Sequence, residues 1–98
     1  MVHCRLPAGQ VTQAMRHQTV EELWYCLAGA GQVWRRDDVR EEILDIEPGV
    51  SLSIPCGTAF QFRATTTLEL VIVTMPPWPG PHEAVALAGK WPASDPAT

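Results

Sequence analysis

Short apolar runs separated by turn-forming residues constrain the fold of this 98-residue chain more than any other feature. Runs rich in Val, Ile, Leu, Trp, Tyr and Phe alternate with Gly, Pro and Asp, and helical periodicity is hard to find. This pattern is typical of an all-β barrel or sandwich. The predicted strands cover residues 2–6, 11–17, 23–28, 32–36, 39–46, 50–54, 60–63 and 68–74.

The Gly and Pro residues between the runs refine the prediction of the fold. Gly, Ala and Gly at 29–31 predict a tight hairpin between the third and fourth strands. After Met75 the chain is rich in proline, which donates no ladder hydrogen bond. We therefore expect one domain over residues 1–98, with a core at 2–75 and an extended strap at 76–98. Trp78 and Trp91 are the candidate anchors of this strap.

Charge and composition exclude several classes of protein. The net charge is -4, and of the seven Lys and Arg residues only Arg35 and Arg36 are adjacent, so no basic stripe faces nucleic acid. We interpret that pair as a solvated hairpin tip. No stretch approaches the ~18 apolar residues that span a bilayer, and the N-terminus lacks the apolar run of a signal peptide.

The cysteines indicate a reducing environment. The chain has three cysteines, an odd number, and no CxxC pair: they are Cys4, Cys26 and Cys56. This favours small buried thiols over a disulfide framework or a zinc knuckle. We therefore expect a soluble protein of the cytoplasm that binds neither nucleic acid nor a membrane.

Two segments carry a more specific signal in the spacing of their residues. In the first, Gly9 is followed by five residues, then 15–17 (Met, Arg, His), four residues, Glu22, six residues and Gly29. In the second, Gly49 is followed by five residues, then 55–57 (Pro, Cys, Gly), two residues, Phe60, three residues and Ala64.

Both segments resemble, without an insertion, the two signature motifs of the cupin family. The segment at residues 21–34, EELWYCLAGAGQVW, is similar in sequence to the first motif. The two motifs, with the strand between them, cover residues 9–64. The resemblance implies an all-β, cupin-type barrel, that is, a double-stranded β-helix or jelly roll. Four glycines suit corners of such a barrel, where φ is often positive: Gly29, Gly31, Gly49 and Gly57.

The resemblance also implies a metal site, with three histidines and one glutamate holding iron, manganese, zinc, nickel or copper. This chain keeps His17 and Glu22, whereas Met15 and Phe60 replace histidines and Ala64 replaces an asparagine. Phenylalanine cannot ligate, and a thioether suits Cu(I) better than the usual divalent ions.

Other donors do not repair this set. His3 and His82 have no fitting spacing, and alternation directs Glu21 away from Glu22. We therefore prefer polar residues lining a pocket over a metal site made by His17 and Glu22, which stays as the alternative.

The expected barrel mouth is apolar. Alternation from Glu22 and Phe60 along their strands predicts a pocket lined by Met15, Trp24, Cys26, Phe60 and Phe62. Such a cavity with a few polar groups is the usual form of a site for a hydrophobic small molecule. The alternative is that these side chains simply fill a small barrel.

Three functions follow as hypotheses, and enzymatic activity is left open. The first is a small-molecule-binding barrel in which His17 and Glu22 act as a catalytic acid/base pair, as in an isomerase or cyclase. The second is a metal-dependent oxygenase or isomerase with the same two residues as ligands. The third is a non-catalytic structural or regulatory protein. A homodimer is expected in every case, since exposed edge strands need covering.

Overall fold

Alternating apolar and polar residues form nine β-strands in the part of the chain that the computed structural model describes, residues 1–80 and 82–94. The strands are β1 (Val2–Leu6), β2 (Met15–His17), β3 (Glu21–Ala28), β4 (Gly31–Arg36), β5 (Glu41–Ile46), β6 (Ser51–Ile54), β7 (Ala59–Ala64), β8 (Leu68–Met75) and β9 (Ala84–Ala86). The all-β prediction is confirmed. The second predicted strand is shorter than expected, because Val11 makes only an isolated bridge to Arg63. Within the described residues, no helix has the length and hydropathy needed to cross a bilayer.

The strands form two antiparallel sheets. The four-stranded sheet has the order β1-β8-β3-β6, and the five-stranded sheet has the order β5-β4-β7-β2-β9. Strand β3 lies inside its sheet, with Trp24 opposite both Leu52 and Ile72. Its side chains alternate strictly between exposed and buried from Glu21 to Leu27. This alternation places Glu22 on the inner face of the sheet.

The predicted hairpin at 29–31 is wrong. Strands β3 and β4 belong to different sheets, so this turn carries the chain from one sheet to the other. Gly29 has φ of 89°, and a Cβ there would overlap the carbonyl oxygen of Thr67. A Cβ on Gly31 would overlap the carbonyl oxygen of Arg63. The glycines are therefore needed for close backbone packing at a barrel corner rather than for a two-residue hairpin.

Large side chains fill the space between the sheets. Trp24 lies at the centre, with its ring centroid 5.7 Å from Phe60 and 4.9 Å from Phe62 in edge-to-face contacts. Such contacts are the preferred geometry for aromatic pairs. The other buried members of this core are Leu6, Cys26, Val33, Ile46, Ile54, Ala64, Leu68, Leu70 and Ile72.

The segment after Met75 first passes the rim between the sheets at Trp78, and its later part packs on the outer face of the five-stranded sheet. It contributes β9, which pairs with β2 and which the sequence analysis did not predict. The strand forms because the stretch from 82 to 91 contains no proline. Leu87 and Trp91 cover a second buried cluster made of Ala14, Trp34 and Ala59.

A buried amide fixes this segment to the sheet. The side-chain nitrogen of Gln61 donates to the carbonyl oxygens of Thr12 at 2.9 Å and Trp91 at 2.6 Å, and its oxygen accepts from the Trp91 N–H at 2.9 Å. The Trp91 ring also lies 4.1 Å from the guanidinium of Arg63. Trp91 therefore anchors the segment on the barrel itself.

One arginine of the predicted hairpin tip has a structural role instead. Arg36 is exposed, but Arg35 is half-buried and forms an ion pair with Glu42. Its guanidinium also donates to the Ser53 carbonyl at 2.6 Å, which joins the two sheets at the seam beside β6. The interpretation of Arg35 as solvated is therefore wrong.

Candidate functional site

His17 lies at the end of β2, where the backbone holds it from two sides. Its carbonyl oxygen accepts from the Gly57 N–H at 3.1 Å, and β9 pairs with it through Ala84. The side chain is only 5% exposed. Its ring lies 5.1 Å from that of Phe60 and 5.3 Å, edge-on, from that of Trp78. The imidazole is thus enclosed by aromatic rings.

Glu22 reaches the same place from β3 in the opposite sheet. Its Oε1 accepts a hydrogen bond from the indole N–H of Trp24 at 2.9 Å. Its Oε2 lies 3.2 Å from Nε2 of His17, and the Glu22 side chain is 9% exposed. An indole donor therefore fixes the carboxyl group, and the second oxygen is directed to the imidazole.

The hydrogen-bonding capacity of His17 is unused within the part of the chain that the structure describes. Among the described residues, no group hydrogen-bonds to Nδ1 or Nε2, because the contact with Glu22 is close but poorly aligned. Buried polar atoms normally have a partner, and leaving one unpaired costs about 1–3 kcal/mol. These two nitrogens are therefore candidates for contact with a bound molecule.

A cavity of about 540 Å³ opens beside Glu22. Its walls are mostly apolar, with Glu22 and Thr74 as the polar residues. The lining residues are Met1, Val2, Glu22, Ile72, Thr74, Pro77 and Trp78. Trp78 is shared between the two features, since it forms a wall of the cavity and contacts the imidazole.

The predicted pocket residues take a different position from the cavity lining. Four of them are buried in the core: Trp24, Cys26, Phe60 and Phe62. Met15 is half-buried and packs against this core. None of these five residues lines the cavity, and of the predicted polar pair Glu22 lines it whereas His17 does not. Four lining residues belong to no motif identified in the sequence. They are Val2 on β1, Ile72 and Thr74 on β8, and Pro77 after β8.

A thiol also lies near the carboxyl group. Burial and then the nearby Glu22 carboxylate raise the pKa of Cys4 above its ordinary value. The Cys4 thiol is therefore kept protonated, and a protonated thiol is a poor metal ligand and nucleophile. Cys56, predicted as a buried thiol, is exposed on the turn before β7, where its thiol contacts the carbonyl of Gln18.

The donor set does not fit a divalent metal ion. Phe60 presents a hydrocarbon ring to His17, and Met15 offers a half-buried thioether. His3 pairs with Glu69 on the surface, and His82 is exposed. Across residues 1–80 and 82–94, no three His, Cys, Asp or Glu side chains come together as a metal-holding group. One imidazole and one carboxylate fall short of the three or four ligands usual at such sites.

Comparison with known proteins identifies a family for most of the chain. Residues 2–76 match the family model described as "Cupin domain". No curated protein matches the chain.

Solved structures with the same fold are larger proteins. Oxalate decarboxylase from Bacillus subtilis superposes with a TM-score of 0.81 at 22% identity, covering 87% of this chain and 22% of that one. A structure of the same enzyme, described by its Mn(II) centres, gives a TM-score of 0.67 at 23% identity, with coverages of 74% and 19%. A variant of salicylate 1,2-dioxygenase from Pseudoaminobacter salicylatoxidans, in complex with gentisate, gives 0.64 at 23% identity, with coverages of 71% and 18%. This chain therefore spans about a fifth of these proteins, and the likeness is one of fold.

Proposed function

Because this chain belongs to the cupin family but lacks two of the family's histidines, we propose that it binds a small apolar molecule without a metal ion. The site is the cavity beside Glu22, and His17 and Glu22 are its polar recognition groups. The ligand has a hydrocarbon body and at least one polar group that hydrogen-bonds to the imidazole or the carboxyl oxygen.

The observation that carries this proposal is the pair of unbonded nitrogens on His17. Both atoms are buried, and Glu22 beside them is fixed by Trp24. A ligand that donates to or accepts from the imidazole would satisfy atoms that residues 1–80 and 82–94 leave without a partner. The mostly apolar cavity walls supply the rest of the binding energy, as is usual at small-molecule sites.

The same pair has the geometry for acid/base chemistry. Nε2 of His17 and Oε2 of Glu22 lie 3.2 Å apart, close enough to pass a proton when the ring rotates slightly. The isomerisation or cyclisation of an apolar carbonyl compound requires a proton to be removed at one atom and delivered at another. His17 would hold the proton, and Glu22 would orient the ring.

One observation favours a second candidate, a non-catalytic protein. Trp24, Phe60 and Phe62 pack tightly between the sheets, so the centre of the barrel is filled by side chains. A filled barrel can serve assembly or regulation without a ligand. The cavity beside Glu22 lies at the rim rather than at this centre, and a binding experiment separates the two candidates.

We propose the cytoplasm as the compartment. Cys4, Cys26 and Cys56 all belong to the described part of the chain and form no disulfide. Burial raises the pKa of Cys26, which keeps it a thiol. Free thiols persist in a reducing compartment.

The experiment is a screen of neutral, apolar carbonyl and hydroxyl compounds by thermal shift, with hits confirmed by titration. His17→Ala and Glu22→Gln are expected to weaken binding of a hit at least about 10-fold, the loss typical of a buried hydrogen bond. The matched controls are His3→Ala and Glu69→Gln, because that pair has the same 3.2 Å separation at the surface. Binding that survives both site variants, or that falls equally in the controls, would refute the proposed site. A screen without hits would favour the non-catalytic candidate.

A further inference from the structure

Three of the seven Lys and Arg residues of the chain line a single small cavity. They are Arg35 and Arg36 at the end of β4 and Arg40 directly before β5. The cavity measures about 160 Å³ and lies where the hairpin between β4 and β5 meets the turn between β6 and β7, which contributes Thr58. In a chain with a net charge of -4, the positive charge is therefore concentrated around this cavity.

Arg35 forms the fixed side of the cavity. Its guanidinium forms an ion pair with Glu42 and donates to the Ser53 carbonyl oxygen at 2.6 Å. Both partners also line the cavity, and the Arg35 side chain is only 18% exposed. The position of Arg35 therefore does not depend on a ligand, and its charge is balanced by Glu42.

Arg36 and Arg40 have no such carboxylate partner. Three ion pairs occur within residues 1–80 and 82–94, and none of them includes either residue. The guanidinium of Arg36 lies 5.3 Å from the centre of the Trp34 ring. An aromatic face holds a guanidinium in place and leaves the N–H groups at its edge free to donate. Cations that line the same cavity repel each other, and an anion between them would replace this repulsion by attraction.

The second carboxylate of the lining, Asp37, is engaged by the hairpin itself. Its Oδ1 accepts from the N–H groups of Arg40 at 2.9 Å and Val39 at 2.8 Å. These two hydrogen bonds hold the pKa of Asp37 below its ordinary value, and the charges of Arg40 and Arg35 contribute less. Asp37 therefore shapes the turn that carries Arg40. Three guanidiniums against the two carboxylates of Asp37 and Glu42 leave one positive charge at the cavity.

The chemistry of these groups matches a small oxyanion. A guanidinium offers its N–H donors in a planar fork, which fits two oxygens of one carboxylate or phosphate group. A volume of about 160 Å³ equals that of about five water molecules at ~30 Å³ each. The cavity thus has room for one such group and not for a nucleotide, and its surplus of one positive charge matches a single negative charge.

We infer that this cavity binds a small oxyanion, the carboxylate or phosphate group of a ligand, between Arg35, Arg36 and Arg40. The inference is independent of the proposed site beside Glu22, because the two cavities have no lining residue in common.

The first test is a calorimetric titration of the full chain with acetate and, separately, with inorganic phosphate, at an ionic strength held constant with chloride. Saturable binding of at least one oxyanion is expected, and the one that binds more tightly identifies the group. Arg36→Gln and Arg40→Gln are each expected to weaken it about 10-fold, the loss typical of a hydrogen bond between charged groups. Arg16→Gln is the matched control, because Arg16 is exposed on β2 and its loss changes the net charge equally. No saturable binding of either anion, or an equal loss in Arg16→Gln, would overturn the inference.

A second test needs no substitution and so does not depend on a variant folding. Phenylglyoxal modifies exposed arginines, and peptide mass spectrometry measures the rate at each position. With the bound oxyanion at about ten times its dissociation constant, Arg36 and Arg40 are expected to react about 10-fold more slowly, because only the free protein is modified. Arg16 serves as the internal control and is expected to react at an unchanged rate. Rates at Arg36 and Arg40 that do not change, or that fall equally at Arg16, would show that the oxyanion does not bind between these arginines.

Discussion

At the scale of single residues, the feature that distinguishes this site is a buried carboxyl group held by an indole. Glu22 accepts from Trp24, and among the described residues no Lys or Arg forms an ion pair with it. A carboxyl oxygen in such a place depends on each of its few donors, because water cannot readily replace a lost one.

The contribution of the Trp24 donor can be measured by removing its N–H. Trp24→Phe is expected to lower the free energy of unfolding by about 2 kcal/mol more than the change in packing alone, since Oε1 of Glu22 loses its partner. Trp34→Phe is the control, because the Trp34 indole is also buried but donates to the exposed Glu41. Chemical denaturation compares the two variants. Equal losses would mean that the bond to Glu22 has no special weight.

A second carboxylate, Glu83, acts as a clamp between the C-terminal segment and the loop before β3. It accepts from the hydroxyl and N–H of Thr19 and from the N–H of Val20. Burial alone would raise the pKa of Glu83, but these hydrogen bonds outweigh it and lower the pKa to about 2 from an ordinary value of 4.5. The ionised form is therefore the one that stabilises the fold.

The sign of the pH effect follows from this shift. The folded protein keeps Glu83 ionised where the unfolded chain binds a proton, so the stabilisation is complete above pH 4.5 and is lost as the pH falls towards about 2. Denaturation curves of the wild type and of Glu83→Gln are expected to differ most above pH 4.5 and to converge at lower pH. A difference that stays constant down to pH 2 would contradict the assignment. Glu47→Gln, at an exposed position, is the control.

At the scale of elements, the crossing at 29–31 decides how the two sheets meet. Gly29 lies against the carbonyl of Thr67 with φ of 89°, whereas Gly49 has φ of 91° and open space around its Cα. The two positions share backbone conformation and differ in crowding. They therefore separate the cost of positive φ from the cost of contact with the neighbouring strand.

Alanine substitution tests this difference directly. Gly49→Ala is expected to cost about 1 kcal/mol, the lower end of the range for a non-glycine residue at positive φ. Gly29→Ala is expected to cost at least about 3 kcal/mol, because the added Cβ must also displace the backbone of Thr67. Equal costs, measured by thermal or chemical unfolding, would show that the corner relaxes and that close packing there is unimportant.

The elements also show which parts of the structure can be predicted from sequence. Alternation predicted nearly all strands, because a half-buried strand must direct every second side chain to the core. It did not predict the partner of β4, since turn residues such as Gly29 are compatible with both a hairpin and a crossing. Strand β9 has three residues, too few to show alternation.

Part of the candidate site could likewise be predicted from the sequence, and part could not. The spacing of the motif led to His17 and Glu22, which lie on different sheets and meet at 3.2 Å. The cavity lining was missed, because Ile72 and Pro77 become neighbours of Glu22 only through sheet pairing and through the path of the chain after β8. Long-range proximity of that kind leaves no local pattern in the sequence.

At the scale of the whole molecule, the barrel has three surfaces with different properties. The five-stranded sheet is covered by the C-terminal segment, Leu23, Tyr25 and Leu27 are half-exposed on the outer side of the four-stranded sheet, and the rim between the sheets holds His17 and Glu22. The barrel has the fold of the cupin family. Among the described residues, however, its rim offers only His17 and Glu22 as candidate metal ligands, whereas a divalent ion needs three or four. We therefore propose that this site works through its own side chains.

The most direct test of this claim is the metal content of the purified, tag-free protein, measured by plasma mass spectrometry after incubation with Mn²⁺, Fe²⁺, Zn²⁺, Ni²⁺ or Cu²⁺ and gel filtration. His17→Ala and Glu22→Gln are measured in parallel. We predict far less than one ion per chain in all three proteins. Metal that approaches one ion per chain in the wild type and is lost in both variants would overturn the proposal of a metal-free site and would make His17 and Glu22 metal ligands.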